Sequence, residues 1–105
     1  MPEDTELMRV LWFVLGGARG GLNRARIINE LRERPLNLNQ IAVRLGVDYR
    51  TVVHHAEVLR ANSLVVTEGG RYGEMYFLSP RLQAGIGMFD EIAAKLRFRF
   101  EPRVD

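Results

Sequence analysis

A mainly α-helical chain with one small antiparallel β-hairpin is what the sequence predicts, on three observations. Apolar residues recur at helical spacing in Thr5 to Leu15, in Asn23 to Leu31 and again between Asn37 and Asn62. Two β-forming runs, Leu64 to Thr67 and Met75 to Leu78, flank the turn "EGGRYGE". A last helical stripe, Leu82 to Leu96, follows Ser79 and Pro80, a cap and a first-turn proline.

The elements follow in order. Leu7, Leu11 and Val14, with Val10 alongside, suggest a short first helix. A strand through Val10 to Leu15 stays open, since that run is rich in β-formers. "GGARGG", Gly16 to Gly21, then breaks regular structure. It is a sharp connector or a phosphate cradle, but it matches neither nucleotide-binding glycine spacing. Asn23 reads as the next N-cap, with Ile27, Ile28 and Leu31 as the buried stripe and Pro35 beyond its end. Asn37 with Gln40 three residues on makes a variant capping box. Ile41, Ala42 and Leu45 face inward, and Gly46 ends that helix. Asp48 caps a helix reaching about Asn62. In the last helix Leu82, Ile86, Phe89, Ile92, Ala93 and Leu96 come close to a heptad seam.

With 105 residues the chain fits one domain and one modest core. The predicted parts are an N-terminal apolar segment and connector (1–21), a central unit (22–79) and a C-terminal helix for dimerisation (80–105). No apolar run approaches the roughly 18 residues of a membrane span. Glu3, Asp4 and Glu6 stand where a signal peptide carries positive charge, so a cytoplasmic protein is expected. There are no cysteines, which removes disulfides, thiolate metal sites and cysteine nucleophiles. Net charge is only +2, but every basic residue except Lys95 is arginine, the side chain suited to phosphate and guanine. Compositional bias explains that equally well. From Arg19 to Arg60 eight arginines stand against four carboxylates, so the middle of the chain is its basic part.

Two helices joined by the tight Gly46-Val47-Asp48 turn form a helix-turn-helix, and the hairpin behind them makes it winged. At about 100° per residue, Val52, Ala56 and Leu59 share the core face of the second helix. His55 falls on its flank. Arg50, Val53, His54 and Glu57 point the other way, and they suit base edges: Arg to guanine, Glu to cytosine, Val to the thymine methyl. Tyr49 and Thr51 can offer hydroxyls to phosphate, and Asn39 an amide. Asn37 and Gln40 could do so too, although capping explains them as well.

The stretch "LNRARIINELRERPLNLNQIAVRLGVDYRTVVHHAEVLRANSLV" resembles the winged-helix regulators of the ArsR superfamily, and looks most like an archaeal branch with a "GG-x-RGG" lead-in and "NRARI". The resemblance covers about Gly16 to Pro80. It implies a homodimeric transcription regulator binding double-stranded DNA, with recognition helix 48–62 in the major groove. The wing, 65–78, would put Arg71 and Tyr72 near the minor groove. The apolar segments 5–15 and 80–97 are then the expected dimer surfaces, unless they complete one monomer's core. The metal-sensing members use cysteines, or histidines on the terminal helix, and this chain has neither there; no metal or cofactor is expected.

His54 and His55 are the chain's only histidines. Neighbouring positions on a helix diverge by about 100°, so the two do not converge on a metal. The helical metal spacing, i and i+4, leads from them to Val58 and Leu59, which cannot ligate. No catalytic constellation can be drawn, and an enzyme is not expected. His55 reads as an imidazole bonding between helices, and Arg50 as the leading base contact. The rival function is a winged-helix adaptor that binds protein rather than specific DNA.

Overall fold

A computed structural model of the chain describes residues 4–17, 19–70 and 73–100. In chain order its elements are α1 (Thr5–Gly16), α2 (Gly21–Leu31), α3 (Leu38–Leu45), α4 (Tyr49–Ala61), β1 (Val65–Glu68), β2 (Met75–Leu78), α5 (Pro80–Ala84) and α6 (Ile86–Lys95). The fold class predicted from the sequence, helices around one antiparallel hairpin, is the one observed.

The open question at Val10 to Leu15 resolves as helix. Leu7, Leu11, Val14 and Leu15 are all buried from one face of α1. Burying four such side chains, at roughly 1.5–3 kcal/mol each, outweighs helix-propensity deficits below about 0.7 kcal/mol per residue. The Asp4 carboxylate accepts the Leu7 N–H at 2.9 Å and closes the first turn.

Asn23 is not an N-cap. The helix starts earlier, at Gly21, behind Gly20 and without a side-chain cap. Asn23 lies inside it and accepts a hydrogen bond from Arg26 Nη1. The connector and the first turn are set by packing on α1 and α4 rather than by a capping side chain.

α3 has the full capping box: the Gln40 N–H donates to Asn37 Oδ1 and the Asn37 N–H to Gln40 Oε1, each at 2.8 Å. Gly46 ends it in the left-handed region at φ 67°, which glycine enters without a side-chain clash. α4 is capped by Asp48, whose Oδ1 accepts the Arg50 and Thr51 N–H groups. It ends with Ser63 at φ 59°. There the Leu64 N–H reaches back to the Leu59 carbonyl at 3.0 Å, the six-to-one bond of a left-handed helix stop.

The hairpin pairs Val65 with Leu78 and Glu68 with Met75. Leu36 adds a rung the sequence does not announce: it exchanges backbone bonds with Tyr76 at 3.3 and 2.8 Å, tying the wing to the lead-in of α3.

The single C-terminal helix expected from Ser79 onward is two. Ser79 and Pro80 do start it, but it breaks at Gly85 into α5 and α6. A Cβ on Gly85 would lie 2.4 Å from Leu7 Cδ2, so α1 packs into the break. The heptad-like stripe also turns inward. Leu82, Phe89, Ile92 and Ala93 are buried within this one chain, and Leu82, Phe89 and Ile92 join Leu7, Leu11 and Val14 in one core cluster. Two ion pairs fasten the same region: Arg32 holds Asp90 with two bonds of 2.8 and 3.0 Å, and Arg81 holds Asp4 at 3.1 Å. None of the described helices is long and apolar enough to cross a membrane.

Candidate nucleic-acid interface

The α3–turn–α4 unit presents one outward face, and α4 supplies most of it. Its inner side, Val52, His55, Ala56 and Leu59, is buried. Arg50, His54 and Glu57 are exposed on the outer side, and Val53 is half-buried between them. Arg50 makes no side-chain hydrogen bond or ion pair among the described residues, although its charge helps hold the Asp48 carboxyl low. An exposed guanidinium with no hydrogen bond of its own can dock on guanine or phosphate without first breaking one.

The start of α4 is arranged by Asp48. The Thr51 hydroxyl and N–H hold its carboxyl below the ordinary carboxylate range. Thr51 Oγ1 donates its proton to Asp48 Oδ2 at 2.6 Å. That proton is therefore committed, and Thr51 must turn before it can donate to a phosphate. Tyr49, in the same turn, is 49% exposed and its hydroxyl is free among the described residues. Asn39, at the start of α3, is also exposed. Asn37 and Gln40 spend their side chains on each other's backbone, as the capping reading expects.

A shallow cleft of about 400 Å³ joins these parts: Asn37, Leu38 and Asn39 from α3, Tyr49 from α4, and Gly70, Gly73 and Glu74 from the wing. Asn39 and Tyr49 thus come together beside the wing. Arg71 and Tyr72, expected at its tip, lie outside the described residues.

Behind the face is a buried polar node that the sequence reading only half identified. His55 is 6% exposed and bonds between helices, as expected. Its partner, Arg24, is not marked by any motif. Arg24 is 5% exposed, with Nη1 at 3.2 Å from His55 Nδ1 and Nε donating to the Val14 carbonyl at 2.8 Å. The signal existed: Arg24, Ile27, Ile28 and Leu31 fall at i, i+3, i+4 and i+7, which puts an arginine on the buried stripe of α2. Burial pushes the His55 imidazole below its ordinary range, and the nearby Arg24 and His54 add to that. The two histidines differ in burial, yet their ring centroids are still 5.2 Å apart at 58°.

Among the described residues no three of His, Asp and Glu gather closely enough to hold a metal ion. Asp90 and Glu91 are engaged with Arg32 and Lys95.

No protein-family model and no curated protein matches the sequence. Solved structures do match the fold. BigR, a transcriptional repressor from Xylella fastidiosa, superposes with a TM-score of 0.67 at 16% identity, covering 92% of this chain and 91% of its own. HlyU from Vibrio cholerae gives 0.65 at 20% identity, covering 89% and 99%. The homodimeric winged helix-turn-helix DNA-binding domain of Mb0332 from Mycobacterium bovis, described as a possible ArsR-family transcriptional regulator, gives 0.64 at 14% identity, covering 100% and 97%. These likenesses lend no support to an archaeal branch in particular. At such identities they establish architecture: the chain folds as a winged helix-turn-helix, with α3 and α4 as its two helices and β1–β2 as the wing.

Proposed function

We propose that this chain is a sequence-specific regulator of transcription that binds double-stranded DNA as a homodimer, with α4 in the major groove and the wing beside the minor groove. The observation that carries this reading is the outward face of α4. It holds the exposed guanidinium of Arg50, which spends no side-chain hydrogen bond among the described residues, next to His54 and Glu57, on a helix whose other side is fixed in the core. Val53, Tyr49, Thr51 and Asn39 complete the contact surface, and Arg71 and Tyr72 are assigned to the wing's contact with DNA. A regulator working on the chromosome of a cell without a nucleus is cytoplasmic. The "GG-x-RGG" lead-in and "NRARI" are what speak for an archaeal branch.

The dimer uses α1 and the C-terminal helices through faces other than the core seam. Phe13 is 69% exposed on α1, a large apolar side chain for a monomer to leave in water. In a twofold dimer the two copies of α4 stand about 34 Å apart and read a near-palindrome.

Selection of duplex fragments from a genomic pool, repeated at two salt concentrations, tests the reading. Expected is one enriched near-palindromic motif, with affinity falling steeply as salt rises, at a slope of about −0.9 per phosphate neutralised. A protein-binding adaptor is the second reading, favoured by Val43, which is 81% exposed on the outer side of α3. Failure to enrich any motif at low salt would favour it.

A further inference from the structure

The Arg24 guanidinium lies where three segments meet. Its Nε holds the Val14 carbonyl in the last turns of α1, and its Nη1 faces His55 Nδ1 in α4. A guanidinium only donates, so this bond requires Nδ1 as the acceptor. His55 is then the neutral imidazole with its proton on Nε2. The connector closes the node from the third side: a Cβ on Gly20 would lie 2.2 Å from His55 Cε1 and 3.0 Å from Arg24 Nη1. The ring has no room to turn toward the connector.

We propose that the Arg24–His55 bond is a positioning contact that fixes α4 relative to α1, and that protonating His55 releases it and weakens DNA binding. The DNA half of this inference rests on the function proposed above. Protonation puts a donor on Nδ1 opposite a donor on Arg24, and a second cation 3.2 Å from the first. In a buried setting that repulsion is weakly screened. The charged and titratable groups facing His55 are Arg24 from α2 and His54 from α4 itself; both oppose the charged form, and no carboxylate among the described residues favours it. Gly20 contributes only backbone. The charge is relieved when the ring or the guanidinium moves. Because the same guanidinium holds Val14, its movement is felt at the end of α1 and along α4 together.

The test follows the full chain by NMR, and by binding to a duplex recovered from a random-sequence pool, from about pH 7.5 to about pH 5.5, the imidazole range. In the free wild type, the amides of α4 and of Val14 to Gly16 shift in step with the His55 ring. Affinity for the duplex falls about tenfold over the same range, within the 5–150-fold span usual for coupled sites. His55→Gln, whose amide oxygen can still accept from Arg24, keeps the affinity at the higher pH and loses the fall. If His55 titrates while the α4 amides stay still, or if His55→Gln falls as steeply as wild type, the positioning role is wrong. Coupled amide shifts without binding to any duplex would leave the α1–α4 coupling standing and remove the DNA reading. Should His55→Gln not fold, the wild-type amide titration decides alone.

Discussion

Between Asn37 and Ser63 every helix end is closed within a few positions in sequence, by the Asn37–Gln40 capping box, the Gly46 stop, the Asp48 cap and the Ser63 stop. The helices flanking that unit are held from far away in the chain. Arg81 reaches Asp4 across 77 positions and Arg32 reaches Asp90 across 58, and Leu7 packs into the break at Gly85. One region is written locally and the other is settled only when the core assembles. Damage should differ in kind. In the local region a lost capping side chain loses one helix end. In the flanking region a lost buried one opens a cavity shared by α1 and α6.

The largest contrast should come from the core. Phe89 of α6 is fully buried, in the core cluster that also takes Leu7, Leu11 and Val14 of α1. Phe89→Ala is expected to lower unfolding free energy by about 3–5 kcal/mol, measured by urea titration. A loss below about 1 kcal/mol would mean that the two terminal helices are not one packed body. Asn37→Ala should cost less, about 0.5–2 kcal/mol, because only a helix cap goes. Its DNA affinity should change little beyond that, since the Asn37 side chain is spent on its own helix.

Ser63 sharpens the comparison from the stabilising side. It occupies a left-handed position where glycine is usual. Ser63→Gly should raise unfolding free energy by roughly 0.5–1 kcal/mol, less than the full left-handed penalty because glycine costs entropy. An unchanged or lower value would contradict the local account of how α4 ends.

The pH dependence tests the node joining the two regions. The buried His55 binds its proton less readily than in the unfolded chain, whose reference is 6.5. Between the two values the unfolded state carries more protons, so stability is full above about pH 6.5 and declines as pH falls below it. The melting temperature of wild type should drop over that range, and His55→Gln should flatten the drop. Asp48, held low chiefly by the Thr51 hydroxyl, adds its own loss only in stronger acid, below its reference of 3.8.

The same division explains what could be read from the sequence. The capping pairs, the turn glycine and the apolar periodicity of α4 lie within one helix length, so the helix-turn-helix and the burial of His55 were legible. Position on the helix also placed Arg50, His54 and Glu57 outward. The rest depends on partners distant in sequence. Val10 to Leu15 have strand propensity and become helix because α1 is buried along one side. The stripe from Leu82 to Leu96 resembles a seam between two chains, but much of it packs inside one. Nothing near Gly85 announces a break, because its cause is Leu7. Arg24 is hard to read because arginine is usually a surface residue, and only its place in the stripe of α2 marks it as buried.

The proposed function stands or falls on Arg50 as the base contact of α4. Equilibrium binding of wild type and Arg50→Ala to the selected duplex, and to copies altered one base pair at a time, tests it most directly. The account predicts a loss of roughly 1–3 kcal/mol for Arg50→Ala, with discrimination relaxed at one position of each half-site. Equal affinity and unchanged discrimination would contradict it.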